Sequence, residues 1–438
     1  MAVSIYTFLS DQFQHQLKGK AQTGNDRFEQ VMKNYKKLFW EEFNTLLNTN
    51  QCGDLNTRIN SLSAPAKQNL FDWLDDLKLT ISTNATSLNS FFDSLIDIYE
   101  TYIHGNITLA STNFNSLLST NKLYSSITEY ERYYPVAFRG RKSAKSSTFF
   151  CKPKPVNKDF FFHIPFNQLH AIKNYRFSIT GSPMIYLGAS IPTVLLELRS
   201  GLHKFDNLEL STWAIKPGVN LKMYDISNEL YDLINLNIIP IIDGGGRITA
   251  TNTCLGAPIP NVSTFVSAFQ KFIISQFCTF KKEEIKEHVF IEQYVLPQLF
   301  TEQIRNYTGT KYDGFIFPST QYLDKATSTN NEIYYSLFKY NIALFTTYDS
   351  TNKYDDTLIN KFEVIPIDKK DSIDKNAFKR GCNAKRLDPA RIDAIKIKNQ
   401  VKGLEDYYSK MAVDSIPLTD LKSIKIQFAS TLKYIQSL

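Results

Sequence analysis

Cysteine is scarce and unpatterned in this 438-residue chain. There are five: Cys52, Cys151, Cys254, Cys278 and Cys382. The number is odd and no two form a CxxC pair. That excludes a disulfide framework and a zinc ribbon as organising devices; free buried thiols in a reducing compartment are expected. No segment approaches the ~18 consecutive apolar residues a membrane span needs. The opening Met1-Ala-Val-Ser-Ile-Tyr-Thr-Phe-Leu-Ser-Asp11 has no charged segment followed by an apolar run, so no secretory signal is expected there. The expectation is a soluble, cytoplasmic protein, with signal-less export left open. No long basic block accompanies the net charge of +7, which argues against a nucleic-acid partner. No internal repeat and no low-complexity block is present.

Aromatic residues are plentiful instead. With 32 Phe and 24 Tyr, the core is expected to be largely aromatic. Hydrophobic residues make up 43% of the chain, enough for a sizeable core, and the length predicts two or three domains at roughly 150 residues each. A mildly basic surface favours a phosphate-bearing small molecule.

Residues 1–125 read as an all-α region. Phe28, Val31, Met32, Tyr35, Leu38 and Phe39 recur at helical spacing. Leu70, Trp73, Leu74 and Leu77 do so after a Ser63-Ala-Pro65 start. Leu88, Phe91, Phe92, Leu95 and Tyr99 form a third stripe. Such stripes predict the core faces of a small bundle. His15 and His104 lie there without companions.

The pattern changes near Tyr133-Tyr-Pro135. A Lys/Ser/Pro-rich stretch from Arg141 to Lys158 reads as a loop. Strands are expected at Met184–Leu187, Gly314–Phe317 and Ile342–Phe345, and helices at Pro192–Arg199 and Phe265–Phe277. The fold class is therefore α+β, a mixed β core with flanking helices. The expected domains are 1–125 (helical), 126–350 (catalytic) and 351–438. The last begins with a strand, Phe362–Ile367, and ends in an amphipathic helix carrying Leu421, Ile424, Phe428, Leu432 and Ile435.

Chemistry-bearing residues concentrate in the middle segment. Glu197 sits among leucines in Val194-Leu-Leu-Glu-Leu198, where a carboxylate is costly without a partner. Locally it reads as a solvated helix position or an ion pair. The functional alternative sets it beside a ribose, stabilising an oxocarbenium-like centre. Arg139, Arg141 and Arg176 are candidate anion holders, because a guanidinium forks onto phosphate and keeps its charge. Each alone also reads as surface charge. Arg176 lies between Tyr175 and Phe177, before a predicted turn at Thr180-Gly-Ser-Pro183. Ser319 follows a strand end, where it can bond a ribose or phosphate oxygen or simply open a turn. Nothing suggests a Ser-His-Asp triad. Tyr186 reads as core, or as a surface for a nicotinamide ring. Asp243-Gly-Gly-Gly-Arg247 lacks the Lys-Ser/Thr of a P-loop and reads as a loop. His163 and His170 are badly spaced for ligands, His163 reads as structural, and no metal is expected.

Taken in order, these segments resemble the RES domain family. Arg139 lies in Phe138-Arg-Gly-Arg141, with Arg141 a rival for its place. Arg176, Ser178, Gly181 and Tyr186 match the block with the second arginine and the turn, and Glu197 matches the glutamate helix. Tyr294–Leu299 resembles a helix of longer members. Asp313, Gly314 and Ser319 match the block holding the serine, and Asn341–Phe345 the closing strand. The match covers roughly residues 135–350. It departs where many members have Gly-Arg-Phe/Trp-Asn and this chain has Tyr175-Arg-Phe-Ser178.

The resemblance implies an ADP-ribosyltransferase-like fold and an NAD-consuming toxin. Such an enzyme cleaves the nicotinamide–ribose bond with water or inorganic phosphate as acceptor, as an NAD glycohydrolase or NAD phosphorylase. NAD is then substrate, not cofactor. Catalysis is expected from Glu197, Arg139, Arg176 and Ser319, and substrate binding from Tyr186, Arg141, Ser178 and Asp313. Many members are toxins in toxin–antitoxin systems, so an antitoxin partner is implied. Residues 1–125 are left three roles: holding that antitoxin, closing over the site, or forming a homo-oligomer. The rivals are an ADP-ribosyltransferase with a macromolecular target, and a non-catalytic interaction protein with a degenerate domain.

Overall fold

The computed structural model describes residues 5–24, 27–47, 64–124, 136–142, 158–179, 181–188, 193–194, 197–198, 208–216, 219, 221–226, 241–242, 248–249, 262–281, 290–320 and 340–366. The expected loop at 143–157, the Asp243–Arg247 glycine run, the helix at 421–435 and every cysteine except Cys278 lie outside these residues.

The chain opens with helices α1 (Ile5–Leu9), α2 (Asp11–Ala21), α3 (Phe28–Leu47), α4 (Ala64–Thr83), α5 (Ala85–Ile103) and α6 (Ile107–Thr120). The first and third of the expected stripes face inward. Phe28, Val31, Met32, Tyr35 and Phe39 on α3 are buried, as are Leu88, Phe91, Phe92, Leu95 and Tyr99 on α5. Ser10 caps α2 by accepting from the Phe13 N–H at 3.2 Å, one of the donors a helix start leaves unpaired.

Strands β1 (Val136–Lys142), β2 (Met184–Gly188), β3 (Leu208–Ile215), β4 (Met223–Asp225), β7 (Gly314–Pro318), β8 (Tyr340–Phe345) and β9 (Phe362–Pro366) form a mixed sheet. Its order is β4-β7-β8-β2-β1-β3-β9. Only β4 and β7 run parallel; the other neighbours are antiparallel. A two-residue pair, β5 (Ile241–Ile242) and β6 (Ile248–Thr249), stands apart. Helices α7 (Val262–Cys278), α8 (Val295–Asn306) and α9 (Asp356–Lys361) complete the described fold. It is α+β, with the helical region ahead of the mixed sheet, as the sequence predicts.

Strand alternation divides the sheet between two cores. On β7, Phe315 and Phe317 face the helices, while Ile316 joins Ile185, Leu187, Trp213, Ile342 and Leu344 on the other face. The helix-side core runs without a break from Phe8 and Phe39 through α7 to Phe315 and Ala343. Helix α7 is its centre: every residue from Ala268 to Cys278 is buried. Phe39 meets Phe269 and Phe272 at 5.9 and 6.4 Å, and Tyr35 meets Phe277 at 6.0 Å. A helix enclosed on all sides must be apolar all round or find partners for its polar groups. Gln270 accordingly donates to Asn121 Oδ1 at 2.7 Å.

One glycine is imposed by close approach. A Cβ built on Gly314 would lie 2.1 Å from the Ala343 carbonyl oxygen, so only glycine lets β7 and β8 close at this point.

Candidate active site

Strand β1 is paired along its whole length with β3, and β2 along its whole length with β8. Between themselves, β1 and β2 pair only at Phe138↔Gly188. Beyond that point the strands part. A cavity of about 510 Å³ is lined by both departing edges: Arg139, Gly140 and Arg141 on one side, Met184, Tyr186 and Leu187 on the other. That volume falls in the range of small-molecule sites, roughly 300–1,000 Å³. The charged residues lining it are Arg139, Arg141, Arg176 and Glu197. Among the described residues the wall thus carries three guanidinium groups against one carboxylate, an excess of positive charge.

Glu197 rides on a short helical turn, in which the Leu198 N–H bonds the Val194 carbonyl at 3.0 Å. Its side chain is not sunk among leucines; the residue is exposed and lines the cavity. Two donors converge on one of its oxygens. Ser319 Oγ donates to Oε1 at 2.5 Å and Asn341 Nδ2 donates to the same atom at 2.8 Å. The sheet register explains the meeting. Asn341 lies opposite Phe317, and Ser319 is two residues beyond Phe317, so both side chains leave the same face. Oε2 accepts no hydrogen bond from the described residues.

Arg176 sits at the tip of a tight turn closed by the Ser178 N–H on the Tyr175 carbonyl at 3.2 Å. Phe177 anchors the turn against Phe315 and Phe317, at 4.9 and 4.5 Å between ring centroids. Gln298 on α8 donates to Asn174 Oδ1 (2.5 Å) and reaches the carbonyls of Tyr175 (3.0 Å) and Ser178 (3.2 Å). The Arg176 guanidinium lies 5.2 Å from the Tyr294 ring centroid, and its Nη1 donates to the Cys278 carbonyl at 3.1 Å. Burial pushes its pKa down, opposed by Tyr294 and Glu197. The following turn bends back at Gly181, whose φ of +84° suits glycine. It returns the chain into β2.

Arg139 and Arg141 alternate on β1 and share a face. They are not equivalent. Arg141 Nη1 donates to the Phe160 carbonyl, and its guanidinium stacks 5.2 Å from the Phe160 ring centroid. Arg139 Nη1 is buried with no hydrogen-bond partner. Burial, reinforced by Arg141, pushes the Arg139 guanidinium down to about 9. A guanidinium scarcely gives up its proton in a protein, so Arg139 stays charged against this shift.

Tyr186 and Ser178 share a hydrogen bond of 2.7 Å at the cavity wall. Burial raises the Tyr186 pKa well above its ordinary value, so the phenol stays neutral. Asp313 requires correction: it was expected to bind substrate and does not line the cavity. Its carboxylate accepts from the Lys222 N–H at 3.0 Å and from Lys361 Nζ. It ties the approach to β4 and the end of α9 to the far end of β7, about 20 Å of strand from Ser319. His163 is structural, as expected. Its Nε2 accepts from the Asp355 N–H at 2.9 Å, so Nδ1 carries the proton toward the Ile164 carbonyl at 2.7 Å. Burial lowers its pKa.

Asn341, Tyr294 and Gln298 escaped the sequence reading as site residues. The blocks holding them stood out, but an amide bonded to a carboxylate, or supporting a turn across the fold, leaves no trace in local spacing. Among the described residues no cluster of His, Cys, Asp and Glu is arranged to hold a metal. No described helix is long and apolar enough to cross a membrane.

The chain is 24% identical over 259 residues to the "Putative toxin YopC" of Bacillus subtilis (strain 168). The match spans 58% of this chain and 53% of that protein, so the chain covers about half the length of its curated relative. No protein-family model matches the chain. No solved structure matches it.

Proposed function

We propose that this protein is an NAD-consuming, toxin-like enzyme of the RES type. It cleaves the nicotinamide–ribose bond and passes the ADP-ribosyl group to water or inorganic phosphate. The observation that carries the reading is the Glu197 carboxylate. One oxygen is fixed by Ser319 and Asn341, and the residue lines a cavity together with Arg139 and Arg176. Support comes also from the residue order resembling the RES family and from the likeness to a protein named as a toxin.

The chemistry follows from charge. As the bond to nicotinamide lengthens, positive charge grows on the ribose. A carboxylate held in place stabilises it without reorganising. Oε2 of Glu197 accepts a ribose hydroxyl, and the two donors on Oε1 prevent the group from rotating away. The pyrophosphate lies on Arg139, whose buried Nη1 gains the acceptor it lacks, and on Arg176. Tyr186 lends its ring face to the nicotinamide. Loss of neutral nicotinamide leaves the cation to be captured by water or phosphate.

The test is product analysis of NAD incubated with the full chain, with and without phosphate. Free ADP-ribose, or its 1″-phosphate, with equimolar nicotinamide is expected. Label from NAD appearing on a protein would move the assignment to an ADP-ribosyltransferase. Glu197→Gln is expected to abolish NAD loss while leaving the circular dichroism spectrum and Tm unchanged. A folded Glu197→Gln protein with full activity would remove the assignment.

A further inference from the structure

A buried lysine links the helical region to the turn that holds Arg176. Lys18 on α2 is 2% exposed. Its Nζ donates to Thr279 Oγ1 at 2.8 Å and lies 3.4 Å from the Thr279 carbonyl and 5.7 Å from the Phe280 ring centroid. Thr279 directly follows Cys278, the last residue of α7, and the Cys278 carbonyl seats Arg176 Nη1. The C-terminus of α7 is therefore gripped by two cations: Lys18 from the N-terminal helices and Arg176 from the cavity wall. A helix C-terminus carries partial negative charge and unpaired carbonyls, so it suits both. A second bond from α2, Gln22 Nε2 to the Lys281 carbonyl at 2.9 Å, pins the same turn.

We propose that Lys18 is a positioning residue for Arg176. It fixes the α7 C-terminal turn that holds the guanidinium, and its charge adds to the field that draws an anion into the cavity. The inference rests on reading that cavity as an anion site. It assigns the N-terminal helices a part in the site itself.

A buried lysine is an unusual choice for a purely structural bond. Desolvation pushes Lys18 down to about 7; Asp11 opposes this, the Arg176 charge adds to it, and Cys278 opposes it. Those are the charged and titratable groups facing it from α2, the 175–178 turn and α7. Tyr35 of α3 packs on Phe280 at 5.5 Å and, pushed upward by burial, stays neutral. An anion arriving at Arg176 cancels part of the repulsion and favours the ammonium form of Lys18. Reciprocally, the ammonium form favours the anion. Affinity should therefore fall as pH rises through the Lys18 titration.

The experiment is calorimetric titration of the full chain with ADP-ribose from pH 6 to 8.5. ADP-ribose carries no group that titrates there, and His163, held between the Asp355 N–H and the Ile164 carbonyl, does not line the cavity. Wild type is expected to lose affinity several-fold across the range. Lys18→Met should bind weakly and without pH dependence. Lys18→Arg, permanently charged and also a check on folding, should hold its affinity to pH 8.5. If wild type ignores ADP-ribose at every pH, the dinucleotide reading fails. The same series is then run with sodium sulfate, read by thermal shift relative to Arg176→Gln. A pH-dependent sulfate effect lost in Lys18→Met would still support Lys18 as the positioning residue. Identical affinity and pH profile in wild type and Lys18→Met, with either probe, overturns it.

Discussion

Two side chains at the cavity bear opposite relations to stability. Arg139 is half-buried, but its Nη1 is fully buried without a partner, a state that costs about 1–3 kcal/mol until a partner arrives. Arg139→Met is therefore expected to raise Tm slightly while weakening ADP-ribose binding tenfold or more, since hydrogen bonds to charged groups are worth about 1.5–3 kcal/mol. Calorimetry on a variant checked by thermal denaturation reads both. Asn341 is the reverse case, buried with its Nδ2 bonded to Glu197. Asn341→Leu keeps its size and removes the donor. If the bond aims the carboxylate, kcat should fall about tenfold or more with KM little changed. A change confined to KM would place Asn341 in ground-state binding instead. Which of the two β1 arginines matters was not legible from Arg-Gly-Arg, because alternation puts both on one face. The difference lies in Phe160, 19 residues later in the chain, which occupies Arg141 and not Arg139.

At the scale of elements, local patterning carried far. The stripes on α3 and α5, the strands β2, β7, β8 and β9, and helix α7 all lie where periodicity and strand-type runs place them. What periodicity does not carry is partnership. Phe265–Phe277 reads as a helix but not as the buried axis between bundle and sheet, because enclosure on every side depends on residues more than 200 positions away. Asp313 failed for a related reason. The family resemblance alone implied a substrate ligand there, but Lys361 and the Lys222 amide claim both its oxygens. The β7–β8 contact gives a sharp element-scale prediction. Gly314→Ala forces a methyl into the Ala343 carbonyl and should destabilise the fold by about 1–3 kcal/mol, measured by urea unfolding. An unchanged urea midpoint would mean the two strands separate more easily than their register implies.

For the whole molecule, the boundary near residue 125 divides composition but not the core. Phe39, Phe92, Phe272 and Phe315 belong to one continuous cluster. Residues 126–350 expressed alone would expose the α7 surfaces that α3 and α5 cover. That fragment is expected to bind a hydrophobic dye strongly and to unfold without cooperativity. A sharp thermal transition in the isolated fragment would make the helices an accessory. The same wiring sets a timetable for synthesis. Phe39 leaves the ribosome 233 residues before Phe272, its neighbour in the core. At about 5–20 residues per second, the N-terminal helices wait roughly ten to fifty seconds for the helix that closes their apolar faces. Nascent chains stalled before residue 262 should be cut readily by protease within residues 28–103, and chains stalled well past 366 should resist. A cavity whose walls run from Arg139 to Asn341 likewise cannot assemble until the last of them has left the ribosome.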